Sequence, residues 1–236
     1  LYRTLMRRSE NAELVDLRQL IGPRFFEVFV PMNDAGSYLV PRAYTRAGFD
    51  QFFEGGKIKH LSSMMNNFAD VIGTLDSATE NAIIRGISQR YNADYISTWN
   101  SFLSSLRLRN AKDWSDAQIL MKSLTNTSEN PVDRLTSTIL KNTDIKIFLT
   151  INETTTAVEA GAVPKAAADV TPRLAPAASS LAASTAHNIR SAFQPYLVAL
   201  HADVDQKSQF DLFLTYARDV NHWLGEAAKA PNGAGK

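Results

Sequence analysis

A single amphipathic stripe through the middle of the sequence constrains the fold more than any other feature. Between residues 77 and 106, apolar side chains recur at steps of three or four residues: Ile84, Ile87, Tyr91, Tyr95, Trp99, Phe102 and Leu106. This spacing places them all on one face of a helix. Ser77 and Glu80 have the spacing of a capping box, which predicts where the helix begins. A helix of about 30 residues is about 45 Å long, so we expect it to be the central element.

The flanking sequence predicts further helices and a few short strands, the latter in the N-terminal part. Residues 10–21 have helical periodicity, residues 25–30 are β-prone, and residues 38–40 could form a second short strand. Thr45 and Asn130 are placed to cap two helices. Residues 145–151 fit either a strand or a short buried helix, and their alternation favours the strand. The expected fold class is therefore mainly α, a multi-helix domain around a long central helix.

The last predicted helix carries a seam of its own. Its apolar residues step alternately by three and four: Phe210, Phe213, Ala217, Val220, Leu224 and Ala227. Such a seam is typical of a helix that packs against another helix, either within the same domain or in another chain.

Composition changes divide the chain into three segments. We predict a helical domain with minor β structure over residues 1–156, an Ala/Pro-rich linker or long loop over residues 157–186, and C-terminal helices over residues 187–236 that pack on the helical domain. Pro164, Pro172 and Pro176 prevent one continuous helix through the linker. The sequence begins at Leu1 without a Met and ends in a tail with little apolar content, so we expect a segment of a longer protein.

Charge and composition exclude several classes of function. Lys and Arg number 25 against 24 Asp and Glu, a net charge of +1, which gives no electrostatic basis for binding nucleic acid or an anionic membrane surface. The sequence has no Cys, which excludes disulfides, zinc–thiolate sites and cysteine nucleophiles within it. The apolar stretches are far shorter than the roughly 20 residues that span a bilayer.

A search for catalytic motifs finds no phosphate-binding loop, dinucleotide fingerprint, nucleophile elbow or zinc-protease motif. His201 with Asp203 and Asp205 is the nearest approach to a reactive cluster, although an Asp that caps the final helix is the commoner arrangement. We therefore predict no enzyme activity, catalytic residue, metal site or cofactor. A hydrolase assembled around His201 and Asp203, or a stand-alone helical adaptor, remains the alternative.

Three blocks in order along the chain resemble the IcmF/TssM family, the large inner-membrane subunits of type VI secretion systems. The first block covers residues 40–49, the second residues 91–108 and the third residues 130–143. The residues that carry the resemblance are Pro41, Tyr44, Thr45, Gly48, Tyr91, Asp94, Tyr95, Trp99, Pro131 and Leu135, which we call the signature residues. The matched motifs imply a structural role for them: Gly48 permits close packing or a tight turn, and Tyr95 and Trp99 fill the core.

The resemblance also implies a place and a role. It makes this chain the helical part of the periplasmic C-terminal region of an inner-membrane protein, a non-catalytic scaffold segment of the secretion membrane complex. The implied partners are the outer-membrane lipoprotein, the small inner-membrane subunit and copies of the chain itself. Contact with the membrane would run through segments of the parent protein outside this sequence. The family's β-rich domain, which is associated with lipoprotein contact, has no counterpart in the sequence pattern here.

Overall fold

The structure is a computed structural model that describes residues 1–31, 38–54, 57–73, 75–126, 130–146, 177–200 and 207–229. Helices dominate these residues, and the predicted fold class is confirmed. The helices are α1 (Tyr2–Met6), α2 (Ser9–Ala12), α3 (Leu17–Ile21), α4 (Phe25–Val28), α5 (Arg46–Phe52), α6 (Leu61–Ile72), α7 (Ser77–Ser105), α8 (Trp114–Thr125), α9 (Pro131–Thr143), α10 (Ala177–Ala192), α11 (Gln194–Leu200) and α12 (Gln209–Lys229). A 3₁₀ turn covers Arg42–Tyr44. None of the described helices is long and apolar enough to cross a membrane.

Within the described residues, four short strands form two antiparallel pairs. They are β1 (Leu14–Asp16), β2 (Phe29–Pro31), β3 (Leu39–Pro41) and β4 (Leu106–Leu108). In the β1–β3 pair Val15 lies opposite Val40, and in the β2–β4 pair Val30 lies opposite Arg107. Because β4 follows α7 directly, the second pair fixes the C-terminal end of the long helix to the N-terminal part of the chain.

The N-terminal part differs from the sequence-based expectation in two places. The helix expected over residues 10–21 is interrupted by β1, because pairing with β3 takes those residues out of the helical conformation. The strand expected over residues 25–30 is mostly helix α4, with β2 restricted to Phe29–Pro31. Phe25 and Val28, one helical turn apart, are both buried, so one turn of helix buries both side chains.

The long helix α7 begins at Ser77 as predicted, but its cap is a different residue. Asp76 is the N-cap, and its Oδ1 accepts a hydrogen bond of 2.7 Å from the Thr79 N–H. The same bond lowers the pKa of the Asp76 carboxyl. Aspartate satisfies a free N–H at a helix start as well as serine does, so an acidic residue directly before the predicted Ser takes the role.

The start of α9 confirms the predicted cap. The Asn130 Oδ1 accepts a hydrogen bond of 2.9 Å from the Val132 N–H, and Pro131 occupies the first helical position. The Asn130 side chain also donates to the Leu124 carbonyl oxygen at 2.8 Å, which connects the end of α8 to the start of α9. One buried amide therefore fixes the angle between two helices.

The region of the predicted linker is only partly described. Residues 147–176 lie outside the described residues, and they include most of the predicted strand at 145–151. Helix α10 begins at Ala177, so the last part of the segment predicted as linker, residues 177–186, is helical. No Pro follows Pro176 in this stretch, and Ala has the highest helix propensity. The Thr185 and Ser88 hydroxyls lie 2.8 Å apart in the contact between α10 and α7.

Candidate functional site

Two aromatic side chains of α7 hold the 3₁₀ turn by its backbone. The Trp99 indole N–H donates to the Tyr44 carbonyl oxygen at 2.7 Å, and the Tyr91 hydroxyl donates to the Ala43 carbonyl oxygen at 2.5 Å. Both side chains are 0% exposed. A buried carbonyl without a partner is costly, so these two donors make the position of the turn depend on α7.

A third aromatic side chain of α7 reaches the end of α9. The Tyr95 hydroxyl donates to the Asn142 carbonyl oxygen at 2.6 Å. The Asn142 side chain in turn accepts a hydrogen bond of 2.7 Å from the Arg46 N–H at the start of α5. The aromatic residues of this α7 stripe are therefore core. Their polar atoms join α7 to α9, and Asn142 extends the connection to α5.

The rings of this core pack on one another around Tyr91. The Phe52 ring is stacked on Tyr91 with centroids 4.3 Å apart, and the Phe53 ring meets Tyr91 edge-on at 5.4 Å. Tyr44 lies 5.8 Å from Tyr91 and 6.1 Å from Tyr95. Aromatic pairs in such geometries are worth about 0.5–1.5 kcal/mol each beyond the area they bury, so this cluster is a major source of stability.

Gly48 lies where α5 passes closest to the 3₁₀ turn. The Thr45 hydroxyl oxygen caps α5 by accepting a hydrogen bond of 3.1 Å from the Gly48 N–H. A Cβ at Gly48 would stand 1.9 Å from the Arg42 carbonyl oxygen, far inside van der Waals contact. The close approach predicted for Gly48 is present, and it leaves no room for a side chain.

Tyr44 and Asp94 belong to a polar cluster at the edge of the core. The Tyr2 hydroxyl donates to the Asp94 carboxylate at 2.8 Å and lies 3.1 Å from the Tyr44 hydroxyl. Arg90, one turn before Asp94 on α7, forms an ion pair of 3.1 Å with the same carboxylate. Burial is the main cause that raises the pKa of both Tyr2 and Tyr44, so both phenols remain protonated and act as donors. This cluster ties α1 to α7.

The phenol and indole groups of this arrangement act as hydrogen-bond donors in fixed positions. Burial raises the pKa of Tyr91 and Tyr95 above the usual range, so neither phenol is a base at neutral pH. Within the described residues, no group of three or more His, Asp or Glu side chains could hold a metal ion. His201 and Asp203, the residues of the alternative hydrolase, lie outside the described residues.

The apolar face of α12 is divided between the core and the solvent. Ala217 and Leu224, from the predicted seam, are buried, and the Gln118 side chain of α8 donates to the Leu224 carbonyl oxygen at 3.1 Å. Within the described residues, the seam packs only in part against this domain, and packing against another chain stays a prediction for Phe213 and Val220, which are exposed. They belong to a row of exposed apolar side chains that we call the α12 stripe: Leu212, Phe213, Tyr216, Val220 and Trp223.

Comparison with known proteins gives the family. A family model described as "IcmF-related: Intracellular multiplication and human macrophage-killing" matches residues 1–144. The chain belongs to the IcmF-related family. A solved structure titled "Type VI secretion system membrane core complex" contains a chain with a similar fold, at a TM-score of 0.60 and 16% sequence identity. The match covers 98% of this chain but only 37% of that longer chain. A search of curated proteins finds no significant match.

All the signature residues lie inside the part of the chain that the IcmF-related model matches. The structure brings Tyr44, Tyr91, Tyr95 and Trp99 into one buried cluster, with Asp94 at its edge. Pro41 ends β3 just before the 3₁₀ turn, and Leu135 is buried on α9. Sequence reasoning missed the acceptors, the Ala43, Tyr44 and Asn142 carbonyls, since a backbone atom leaves no mark in a side-chain pattern.

The described residues of this IcmF-related chain have further surface features beside the cluster. A cleft of about 530 Å³ lies between α3, the 3₁₀ turn and α9, with Arg42, Arg134, Lys141 and Leu20 among its lining residues. Arg42 forms an ion pair with Glu13 at 2.8 Å. The α12 stripe lies outside the family match. Its signal in the sequence is a second series of steps of three and four through residues 213, 216, 220 and 223, which shares Phe213 and Val220 with the predicted seam.

Proposed function

We propose that this chain is a non-catalytic structural segment of a type VI secretion membrane complex and acts through protein–protein contacts. The observation that carries the proposal is the fold match, which extends over 98% of the chain to part of a protein in such a complex. Membership of the IcmF-related family, shown over residues 1–144, supports the same assignment.

The use of polar groups in the core supports a structural role. The signature cluster comprises Tyr44, Tyr91, Tyr95 and Trp99. Its hydroxyls and indole N–H donate to backbone carbonyls or to Asp94, and no nucleophile and base are paired among them. Such bonds fix the relative positions of α7, the 3₁₀ turn and α9. We propose that the signature residues serve this purpose, and that residues 1–156 and 187–236 act as one body joined through residues 157–186.

The proposed location is the periplasmic side of the inner membrane, with the parent protein anchored by segments outside this sequence. The proposed partners are the outer-membrane lipoprotein, the small inner-membrane subunit and further copies of the chain. The net charge of +1 supports protein partners over nucleic acid, since phosphate backbones recruit strongly basic proteins.

A cysteine-labelling experiment tests the proposed location, because this chain has no Cys of its own. Ser101, exposed on α7, is replaced by Cys in the parent protein, in a background without other cysteines. Cells with a permeabilised outer membrane then receive a maleimide that cannot cross the inner membrane. We expect Ser101→Cys to be labelled, because the periplasm is open to the reagent.

The matched control is Ser105→Cys on the same helix, where the native side chain is 1% exposed. We expect it to react only after denaturation. Labelling of Ser101→Cys that requires lysis of the inner membrane contradicts the proposed location.

A further inference from the structure

The α12 stripe exposes large apolar side chains that a folded domain normally buries or uses. Tyr216 is 68% exposed, Trp223 60%, Leu212 45% and Val220 44%. Scattered exposed apolar residues are ordinary, but a contiguous patch marks a contact surface. Trp223 packs edge-on against Trp114 of α8 at 5.5 Å, so the stripe lies on a supported surface.

The spacing of the side chains within the stripe indicates that a helix covers it. Phe213, Tyr216, Val220 and Trp223 step by three, four and three residues along α12. That is the spacing at which a second helix places its own side chains between those of the first. The seam extends over three turns of α12, long enough for a partner helix to lie along it.

The charges beside the stripe specify the chemistry of the partner. Helical spacing puts Asp219 and Glu226 along the same edge of the stripe, and both are exposed. Asp219 forms no ion pair with any described residue, and Glu226 pairs with Lys229 of its own helix at 2.9 Å. The other edge of the stripe adjoins the buried face that packs on α8. A helix along the stripe therefore meets two carboxylates on its open side, of which Asp219 is unpaired within the described residues.

A second copy of this chain in antiparallel pairing fits the seam but not its charges. A two-fold pairing of antiparallel α12 helices places the same edge of both helices on the same side. Asp219 of one copy then lies near Asp219 of the other, and like charges in apposition oppose that pairing.

We propose that the α12 stripe is the docking surface for an amphipathic helix of another protein, with apolar residues at alternating steps of three and four and Lys or Arg beside them. The inference rests on the proposed function in that both assign protein contacts to this chain. It is tested here without any secretion subunit, so a failure of this inference leaves the proposed function standing.

The test uses two synthetic helical peptides with leucine at the first and fourth positions of each heptad. One peptide carries lysine at the flanking positions and the other carries glutamate, and each is titrated into the chain by calorimetry. We expect the lysine peptide to bind about tenfold more tightly than the glutamate peptide. In the D219K/E226K variant the preference should reverse, because only the charges beside the stripe have changed.

A serine substitution locates the binding on the stripe. Tyr216→Ser should weaken the lysine peptide about tenfold, as expected for a central aromatic contact. Tyr196→Ser on α11, also exposed, is the matched control and should leave the affinity unchanged. Equal affinity for both peptides, no binding of either to the folded chain, or self-association of the chain that Tyr216→Ser abolishes would each overturn the proposal.

Discussion

Replacing Trp99 by alanine is expected to lower the free energy of unfolding by about 3–5 kcal/mol. The side chain is 0% exposed, packs edge-on against Phe102 at 5.8 Å and donates to the Tyr44 carbonyl oxygen. Its removal leaves a cavity and a buried carbonyl without a donor, and both effects destabilise the fold. Urea denaturation followed by circular dichroism measures the change.

Trp223→Ala is the matched control for this experiment. Trp223 is also a tryptophan on a long helix, but it is 60% exposed and its ring contact is with Trp114. We expect a loss of about 1 kcal/mol from that contact. A cost of less than about 1 kcal/mol for Trp99→Ala would lie well below the range for buried large aromatics. It would show that the α7 stripe is a binding face and not part of the core.

Replacing Gly48 by alanine is expected to destabilise the chain by about 3 kcal/mol or more, at the upper end of what overpacking costs. The added Cβ would stand 1.9 Å from the Arg42 carbonyl oxygen and 2.7 Å from the Ala43 Cα. Both neighbours are backbone atoms, so neither can rotate away. Relief requires α5 to move off the 3₁₀ turn, which strains the hydrogen bonds from Trp99 and Tyr91 to the same turn.

Gly86→Ala on α7 is the control for the change from glycine to alanine. A Cβ at Gly86 meets nothing within 4 Å. Alanine favours the helical conformation, so this variant should be more stable by about 0.4–1 kcal/mol. The two variants should therefore shift the urea midpoint in opposite directions. A Gly48→Ala variant as stable as the unsubstituted chain would show that the turn and α5 are not in close contact.

The long helix was predictable because one kind of signal repeats along it. The steps from Ile84 to Phe102 specify a helix whatever it packs against, and the structure confirms a helix over Ser77–Ser105. Its core face follows from the same steps, as the burial of Tyr91, Tyr95 and Trp99 shows. Local patterns also predicted the helix caps at Thr45 and Asn130, since a cap needs only neighbouring residues.

The short strands were only partly predictable because each depends on a distant partner. β1 forms where the sequence has helical periodicity, since Val15 can pair with Val40. β2 pairs with β4, a segment far along the chain that no turn signal connects to it. Tertiary contacts override local propensity in such cases. The same limit applies to the signature cluster, whose donors were visible in the sequence but whose carbonyl acceptors were not.

The α12 stripe shows a different limit of sequence reasoning. Two series of apolar residues with steps of three and four overlap along this helix at Phe213 and Val220, and the sequence does not say which one faces the domain. In the structure Ala217 and Leu224 face α8, while Tyr216 and Trp223 face solvent. The position of α8 decides which face of α12 is free, and that position is a property of the tertiary structure.

The central claim is that this chain works through contacts with other subunits of a secretion complex. Titration calorimetry tests it most directly, with the purified chain against the soluble parts of the outer-membrane lipoprotein and the small inner-membrane subunit of its own secretion cluster. Ultracentrifugation tests self-association in parallel. The account predicts saturable binding to at least one subunit or defined self-association. A chain that is folded by circular dichroism, binds neither subunit and remains monomeric would contradict it.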